Sequence, residues 1–363
     1  MTDRVEVSQR QGLPRAPAGG VSRGGVSAGG GSLGGGTVGG GSAGSEAPGP
    51  QVPAPEAAFP MIAVVGPTGS GKSELALRLA ERFGGEIVNT DSLQVYRTLD
   101  IGTAKPEAAE RARVPHHLLD VVNPDEPFSA GEYVRAARRV LADLARRRRV
   151  PVLCGGTGLY FRALVQGIAD IPDVSAAVRD AVAARLAKLG PEALHAELGR
   201  VDPASAARIH PRDAQRIARA LEVAEATGRP LSAYQAQQPF RPAAGGVLSV
   251  GFAWERAALY RRLDARVEAM LRRGLVAEVE GILARGFAPD VKPLKSIGYL
   301  EAVACLQGRL PREALAAAIQ VRTRHYAKRQ VTWFKRHPEV YWAAPGDWEG
   351  VARRVGEFLE RGG

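Results

Sequence analysis

The chain has 363 residues, of which 45% are apolar, and a formal net charge of +11, enough material for one large domain or two smaller ones with a sizeable core. No stretch approaches the roughly 20 apolar residues of a membrane-spanning helix, and no apolar segment of a secretory signal stands near the N-terminus. With only Cys154 and Cys305, the chain has neither a disulfide framework nor a cysteine-rich zinc site. We therefore expect a cytoplasmic protein with no membrane partner.

Residues 1–58 are rich in glycine and serine and have too little apolar surface to fold, so we predict a disordered tail. The charges in this tail cancel, which places the whole net charge of +11 on residues 59–363. A folded part this basic suggests a polyanionic partner. Charge alone does not separate a nucleic acid from general solvation of a basic surface.

The first predicted element is a buried strand, residues 61–65, that leads into a glycine-rich turn and a helix. Gly66, four further residues and then Gly71-Lys72-Ser73 fit the spacing of a P-loop, in which backbone N–H groups converge on an anion and the lysine adds a cation. The Ser73 hydroxyl can hold a Mg²⁺ ion between phosphate oxygens. A plain connecting turn is the alternative, and the spacing does not say which phosphate compound binds. The phosphate-binding candidates are Gly66, Pro67, Thr68, Gly69, Ser70, Gly71, Lys72 and Ser73.

A second predicted strand, residues 86–90, brings Asp91 to its carboxyl end, the edge where open α/β sheets bind ligands. A carboxylate at this place can act as a general base or cap the next turn, and the pattern leaves both roles open. Residues 92–106 are polar enough to line a cleft. The pair His116-His117 has no carboxylate or cysteine at ligand spacing, so a structural role is favoured over metal binding.

The next helix begins at a capping box formed by Ser129 and Glu132 and runs to Arg149. A buried strand, residues 150–154, follows and ends in glycines and Thr157 instead of the acidic residue with which motor-type P-loop enzymes hold Mg²⁺ and polarise water. This argues against an ATP-hydrolysing machine. Small glycines admit a substrate close to the backbone, with the Thr157 hydroxyl as a donor.

Residues 172–241 contain three stretches with apolar residues three and four positions apart, which predicts a helical insertion of three helices. The strand pattern returns at residues 247–253, so we expect the sheet to be completed after the insertion. Helices are predicted at residues 256–273, 275–285 and 311–336, with the glycine turn KSIGY between the last two.

The last of these helices interleaves cations with aromatic residues. Such a helix can neutralise phosphates and stack unpaired bases. An amphipathic helix with its aromatic residues in the core and its cations in solvent explains the same pattern, and both interpretations stay open. The residues are Arg322, Arg324, Lys328, Arg329, Lys335 and Arg336, interleaved with His325, Tyr326, Trp333 and Phe334.

Seven sequence blocks, in this order and at these distances, resemble the tRNA dimethylallyltransferases, which are also called tRNA isopentenyl transferases. The blocks are GPTGSGKS, TDSLQVYRTLDIGTAKP, PHHLLDVVNP, GGTGLYFRALVQG, RIHPRDAQRIARALEV, LKSIGYLEAV and AKRQVTWFKR. The resemblance covers about residues 61–342. It departs where the family usually has alanine in place of Gly69 and threonine in place of Ser73, and both changes keep the chemistry that the loop needs.

The resemblance implies an α/β fold with a P-loop NTPase-like parallel sheet flanked by helices and a helical insertion domain. The implied organisation is a tail at 1–58, the first part of the catalytic core at 59–171, an insertion domain contacting tRNA at 172–241, the second part of the core with basic tRNA-binding helices at 242–342, and a C-terminal extension at 343–363.

The resemblance also implies transfer of a dimethylallyl group from dimethylallyl diphosphate to N6 of adenosine 37, beside the anticodon of tRNAs that read codons starting with U. The P-loop would then hold a prenyl diphosphate with Mg²⁺ as cofactor. The partners of the protein would be dimethylallyl diphosphate and the anticodon stem-loop of tRNA. The protein would bind them as a monomer. Two alternatives use the same loop for ATP: a small-molecule kinase with no tRNA requirement, and an RNA-binding ATPase that hydrolyses ATP.

Matching positions suggest the site residues. Asp91 would be the base that assists the weakly nucleophilic adenine amine, Lys72 would neutralise the diphosphate, and Thr157 would help position the reacting groups. Arg266 is added to the diphosphate site, although the sequence does not decide between Arg262 and Arg266. The tRNA-binding candidates are Asp91, Ser92, Leu93, Gln94, Thr157, Arg179, Gln215, Arg216, Ile217, Ala218, Arg219, Lys295 and Lys328.

Overall fold

The computed structural model describes residues 59–169, 171–237 and 246–362. All of them lie within residues 51–363, which form one unit. The predicted tail at 1–58 and the end of the predicted insertion, residues 238–241, lie outside the described residues. Within the described ranges, no helix is long and apolar enough to cross a membrane.

A six-stranded parallel sheet forms the centre of the protein, with strand order β3-β2-β4-β1-β5-β6. The central strands are continuous apolar runs because both of their faces are buried, as expected in a parallel sheet covered by helices. The strands are β1 (Met61–Val64), β2 (Gly85–Asn89), β3 (His116–His117), β4 (Val150–Cys154), β5 (Val247–Phe252) and β6 (Tyr341–Ala343).

Four helices lie within residues 59–169. The third of these helices begins at the predicted capping box. Ser129 Oγ accepts the Glu132 N–H at 3.2 Å and the Glu132 carboxylate accepts the Ser129 N–H at 2.6 Å, which confirms this prediction. The helices are α1 (Lys72–Phe83), α2 (Ala108–Arg113), α3 (Ala130–Arg146) and α4 (Gly158–Val165).

Five helices fill the predicted insertion and enclose an apolar core of their own, in which Val182, Leu194, Leu198 and Leu221 are almost fully buried. Three long helices had been predicted here, and two short ones are added to them. The helices are α5 (Ala176–Leu189), α6 (Pro191–Val201), α7 (Pro203–Ala206), α8 (Ala214–Thr227) and α9 (Leu231–Gln237). We call α5–α9 the helical segment.

The remaining helices follow β5 and surround the sheet together with α1, α3 and α4. They are α10 (Arg256–Arg272), α11 (Leu275–Ala284), α12 (Tyr299–Leu306), α13 (Leu315–Phe334) and α14 (Trp348–Glu360), with short 3-10 turns at Lys292–Lys295 and Arg312–Ala314.

Alternate residues of β1 point to opposite faces of the sheet and join two separate cores. Ile62 and Val64 pack with α1 and α14 on one face. Ala63 and Val65 pack with α3, α4, α11, α12 and α13 on the other. Helices therefore cover both faces of the sheet. Because β1, β2 and β4 are parallel neighbours, their carboxyl ends lie at one edge of the sheet, the edge where α/β proteins bind ligands.

The C-terminal residues complete the sheet. β6 pairs with β5, so a boundary at residue 342 would divide a strand. Trp348 of α14 packs edge-on against Phe252 of β5 with ring centroids 4.9 Å apart, and Arg82 of α1 donates to Glu349 at 2.8 Å. Residues 343–362 are thus packed into the core, where the sequence had suggested an extension.

Candidate active site

The turn between β1 and α1 has the backbone geometry of a phosphate-binding loop. Gly66, Gly69 and Gly71 have φ angles of 137°, 75° and 90°, which favour glycine. A Cβ at Gly69 would also lie 2.6 Å from Cδ2 of Leu263, so Leu263 fills the space that an alanine methyl group would need. Gly69, where the resembled family usually has alanine, therefore fits its neighbour on α10.

The carbonyl groups of this turn are held from outside by residues that follow β5. The Trp254 indole N–H donates to the Ser70 carbonyl at 2.9 Å, and the Arg262 Nε–H donates to the Gly69 carbonyl at 3.1 Å. The Arg262 guanidinium also lies over the Trp254 ring, 4.5 Å from its centroid. Arg262 thus supports the turn through its carbonyl face, and this leaves Arg266 as the diphosphate candidate on α10.

Lys72 is the main cation inside the turn, with Nζ donating to the Pro67 carbonyl at 2.7 Å. Burial lowers the pKa of Lys72 to about 8; Arg266 acts in the same direction, while Asp91 acts against it. Burial also lowers the pKa of Arg266 from its usual value, again opposed by Asp91. The neighbouring Cys154 thiol stays protonated because burial raises its pKa to about 11. The pKa values of Lys72 and Arg266 are therefore both lowered by burial and both raised by the negative charge of Asp91.

Asp91 follows β2 and is fixed by Asn89. The Asn89 Oδ1 accepts the Asp91 N–H at 2.8 Å, and its Nδ2 donates to the Asp91 carbonyl at 3.0 Å. The Asp91 Oδ1 accepts the Leu93 N–H at 2.9 Å, which closes a local turn. Asp91 thus caps a turn, not a helix, with one oxygen of its carboxylate.

Thr157 joins the end of β4 to the chain after Asp91. Its Oγ1 accepts the Ser92 N–H at 3.0 Å and lies 3.2 Å from Ser92 Oγ, to which it donates. The two loops approach closely because Gly155 has no side chain: a Cβ there would lie 2.4 Å from Thr90. Ser92, which directly follows Asp91, is therefore held against Thr157.

Gln94 lies in the loop of residues 92–106, with its Nε2 3.2 Å from the carbonyls of Thr103 and Ala104. Lys105, which the sequence suggested as a cleft residue, is buried instead. Its Nζ donates at 2.7 Å to the Tyr96 carbonyl and to carboxylates at positions 100 and 120. Lys105 therefore holds the loop together.

Helix α13 supplies two residues to the cleft that the sequence analysis did not assign. Burial and the negative charge of Asp91 raise the pKa of Tyr326 to about 12, opposed by Arg329. Gln330 contacts the loops that follow β1 and β4: its Oε1 accepts the Thr68 N–H at 2.8 Å and its Nε2 donates to the Gly156 carbonyl at 2.9 Å. Both residues stand within the basic and aromatic pattern of the helix, where neutral groups carried no separate signal.

The cations of α13 divide into two groups. Arg322 pairs with the buried Glu301, and Arg324 donates to Asp264 at 2.9 Å. Other residues line a groove of about 490 Å³ on the outer side of the helix; these are His325, Lys328, Arg329, Thr332, Trp333 and Arg336. Arg322 and Arg324 therefore form ion pairs within the fold. The residues that line the groove remain candidates for RNA binding.

The remaining tRNA candidates differ in exposure. Arg179, Gln215, Arg216 and Arg219 are exposed on the helical segment, Ala218 is half-buried, and Lys295 is exposed in the 3-10 turn before α12. Ile217 is 0% exposed and packs in the core of the helical segment. The predicted tRNA contact of the Ile217 side chain is therefore corrected to a packing role.

His116 and His117 lie on the edge strand β3 and are hydrogen-bonded within the fold. His116 Nδ1 lies 2.7 Å from the Val114 carbonyl, and His117 Nε2 lies 2.7 Å from Glu86. Glu86 also accepts from Arg147, and these hydrogen bonds lower the pKa of its carboxyl despite burial. His117 thus belongs to a hydrogen-bond network with Glu86 and Arg147, and His116 is held by the backbone next to it, so both histidines have structural contacts.

A parallel sheet with a P-loop after its central strand, and with Asp91 and Thr157 at the ends of neighbouring strands, defines an α/β protein with a P-loop NTPase-like catalytic core. The family model described as IPP transferase matches residues 94–337. The chain belongs to the IPP transferase family.

Curated relatives match over nearly their full length. The chain is 47% identical over 300 residues to tRNA dimethylallyltransferase 1 of Citrifermentans bemidjiense, with 82% of this chain and 97% of the relative covered. It is 49% identical over 306 residues to tRNA dimethylallyltransferase of Solibacter usitatus, with 83% and 99% covered.

Solved structures share the fold. The full-length tRNA isopentenylpyrophosphate transferase of Bacillus halodurans matches with a TM-score of 0.61 and 34% identity, covering 84% of this chain and 98% of that one. A eukaryotic dimethylallyltransferase acting on tRNA matches with a TM-score of 0.72 and 27% identity, covering 84% and 80%.

Proposed function

We propose that the protein transfers the dimethylallyl group of dimethylallyl diphosphate to N6 of adenosine 37 in tRNAs that read codons starting with U. The products are N6-dimethylallyladenosine and diphosphate. One observation carries the proposal: the cationic phosphate loop faces a carboxylate, Asp91, that Asn89 and the Thr157 loop fix in place. The relatives named as tRNA dimethylallyltransferases support the same activity.

The donor is held through its diphosphate. The backbone of residues 66–73 surrounds the phosphates, with Lys72 and Arg266 as the neutralising cations. The allylic C–O bond breaks as the C–N bond forms, and its electron pair leaves with the diphosphate. Preorganised cations stabilise this developing charge more effectively in a dry site than in water.

Ser73 fits a role in holding Mg²⁺. It lies exposed in the first turn of α1, and its hydroxyl oxygen is a hard ligand of the kind that Mg²⁺ prefers. Among residues 59–169, 171–237 and 246–362 no group of three His, Cys, Asp or Glu side chains is placed to hold a metal, so the diphosphate oxygens would supply most of the ligands. When bound, Mg²⁺ adds positive charge to the leaving group.

The acceptor is an exocyclic amine whose lone pair is delocalised into the adenine ring. Asp91 is the general base: one of its oxygens accepts the Leu93 N–H, and the other takes the proton that N6 loses as the C–N bond forms. Adenosine 37 must leave the stack of the anticodon loop to reach this carboxylate. Ser92, Leu93 and Gln94 surround the extruded base, and Thr157 keeps Ser92 in place.

The exposed cations position the tRNA. Arg179, Gln215, Arg216 and Arg219 contact the anticodon stem-loop from the helical segment, which acts as an insertion domain, and Lys295 and Lys328 contact it from the core. A monomer carries all of these groups, and we assign the reaction to the cytoplasm, where its tRNA substrate is present.

The test is transfer of a labelled dimethylallyl group to an unmodified tRNA transcript, followed by nuclease digestion and identification of the nucleosides. We expect N6-dimethylallyladenosine from the transcript with adenosine at position 37 and no labelled nucleoside from a matched transcript with guanosine there. Unlabelled tRNA with wild-type protein would contradict the proposal. Phosphorylation of a small molecule by ATP would favour the kinase alternative, and RNA-stimulated hydrolysis of ATP would favour the ATPase.

A further inference from the structure

Gln330 links the two loops that meet at the catalytic edge. Its side chain is 6% exposed in the middle of the cleft wall formed by α13. The Oε1 atom accepts the Thr68 N–H at 2.8 Å, and Nε2 donates to the Gly156 carbonyl at 2.9 Å. One amide group thus joins the phosphate loop after β1 to the glycine loop after β4.

The fit around this amide is close. A Cβ at Gly156 would lie 2.5 Å from Nε2 of Gln330 and 4.0 Å from Nζ of Lys72. The next residue, Thr157, holds the Ser92 N–H at 3.0 Å, directly after Asp91. Three hydrogen bonds, connected by the Gln330 side chain and by the peptide bond between Gly156 and Thr157, therefore link the phosphate loop to the loop that carries Asp91.

The contact does not make Gln330 a phosphate ligand. The Thr68 N–H donates to the Gln330 amide oxygen. This N–H is therefore not free to donate to an anion in the phosphate loop. The bridge also needs an amide, because one of its atoms must accept from Thr68 while the other donates to Gly156.

We propose that Gln330 is a positioning residue, which fixes the distance between the bound diphosphate and the base Asp91. This inference rests on the proposed transfer reaction. A misplacement of about 1 Å between reacting groups lowers a rate by about 10²-fold, so the bridge acts on kcat more than on binding of either substrate.

Three substitutions separate positioning from packing. Gln330→Met keeps the volume and loses both hydrogen bonds, and we expect kcat to fall about 10²-fold with each KM within about threefold of wild type. Gln330→Glu keeps the acceptor for Thr68 but donates to Gly156 only when protonated. Its kcat relative to wild type should therefore rise as the pH falls, while that of Gln330→Met stays flat. Gln320→Ala is the control, because Gln320 makes a hydrogen bond from the same helix to Glu268 at 3.1 Å, remote from the loops.

A second measurement does not depend on transfer. In wild type, inorganic diphosphate should slow amide hydrogen exchange in the P-loop and, through Gln330, in residues 155–158. In Gln330→Met, we expect protection of the P-loop to remain and protection of residues 155–158 to be lost.

The inference is overturned if Gln330→Met keeps its kcat while wild type transfers, if Gln330→Glu shows the same flat pH ratio as Gln330→Met, or if the exchange at residues 155–158 responds equally in both proteins. Absence of transfer in wild type would instead contradict the proposed function, and the exchange experiment would still decide the role of Gln330.

Discussion

The phosphate loop after β1 and the acceptor loop after β2 lie at the same edge of the sheet, on either side of the loop after β4, but are built differently. The turn of the phosphate loop is made possible by its own glycines, since Gly66, Gly69 and Gly71 adopt the positive φ angles that it requires. Trp254, Arg262 and Gln330 then hydrogen-bond to its backbone from other elements. The acceptor loop, residues 91–105, is shaped by side chains that reach it from other elements, including Thr157. The turn of the phosphate loop is therefore encoded by its own glycines, and the placement of Asp91, the proposed base, depends on the tertiary fold.

Glu278 of α11 shows how distant residues shape the acceptor loop. Its carboxylate accepts the backbone N–H groups of Asp100, Ile101 and Gly102 at 3.0, 2.7 and 3.4 Å, and the Tyr299 hydroxyl donates to it at 2.6 Å. A Cβ at Gly102 would lie 2.4 Å from the Tyr299 ring. Gly102 and Tyr299, which belong to two different sequence blocks, are thus in direct contact, and only glycine at position 102 leaves room for the ring.

The largest effect should come from the base. Asp91→Ala should lower kcat by about 10² to 10⁴, the usual range for loss of a general base, with tRNA affinity nearly unchanged. Single-turnover transfer and tRNA binding measured on the same preparation check this. A kcat close to that of wild type would remove Asp91 from the mechanism.

The phosphate loop should respond to pH through Lys72. Because the pKa of Lys72 is lowered to about 8, the ammonium loses its proton as the pH rises through that value, and affinity for inorganic diphosphate should fall above it. Lys72→Met should weaken binding about 10- to 100-fold at neutral pH, as expected for loss of a hydrogen bond to a charged group.

Lys72→Arg is the matched control for this pH dependence, since its guanidinium stays charged and both proteins share the titration of diphosphate itself. Calorimetric titrations between pH 7 and pH 9 should show the decline in wild type and not in the arginine variant. Equal pH profiles would contradict the assignment.

Loosening the acceptor loop from a distance should have a smaller effect. Glu278→Ala leaves the N–H groups of residues 100–102 without their acceptor, and we expect kcat/KM for tRNA to fall about tenfold while affinity for diphosphate is unchanged. Glu280→Ala, on an exposed position of the same helix, is the control and should behave like wild type. A matching loss of diphosphate affinity would show that the two loops are not independent.

The smallest effects should come from single surface cations. Arg216→Ala, Arg219→Ala and Lys328→Ala should each lower the slope of log K for tRNA against log salt by about 0.7 to 0.9, with diphosphate affinity unchanged. Arg322→Ala should instead leave the slope unchanged and reduce stability by about 1–3 kcal/mol, because buried Glu301 loses its partner. Salt titrations and thermal unfolding distinguish the two groups, and an unchanged slope in the first three variants would count against their tRNA contacts.

The sequence was most informative where structure is local. Strand β4 begins and ends as predicted, and the P-loop glycines and the capping box of α3 are formed. Ile217 could also have been recognised as a core residue, because it shares a helical face with Ala220 and Leu221. Its place inside a basic block drew attention to its neighbours instead.

Contacts between distant blocks left no signal in the sequence. Arg262 and Arg266 were both candidates for the diphosphate site. Only the structure shows that Arg262 donates to a carbonyl of the phosphate loop and that the charge of Asp91 acts on Arg266. Gln330 is a neutral residue among cations, and only the approach of α13 to both loops gives it a function. The sequence analysis did not predict strands β3 and β6, because two or three residues are too few to show the alternation of apolar and polar residues that is typical of a strand.

The most direct measurement of the central claim follows both halves of the reaction in one tube. Wild-type protein is incubated with dimethylallyl diphosphate, Mg²⁺ and unmodified tRNA, and released diphosphate and dimethylallylated adenosine are both quantified. One diphosphate per modified adenosine is expected, with ATP unable to replace the prenyl donor and with diphosphate release by Asp91→Ala slowed by about 10² to 10⁴. Release of diphosphate or phosphate without alkylation of the tRNA, or equal activity of Asp91→Ala, would contradict the account.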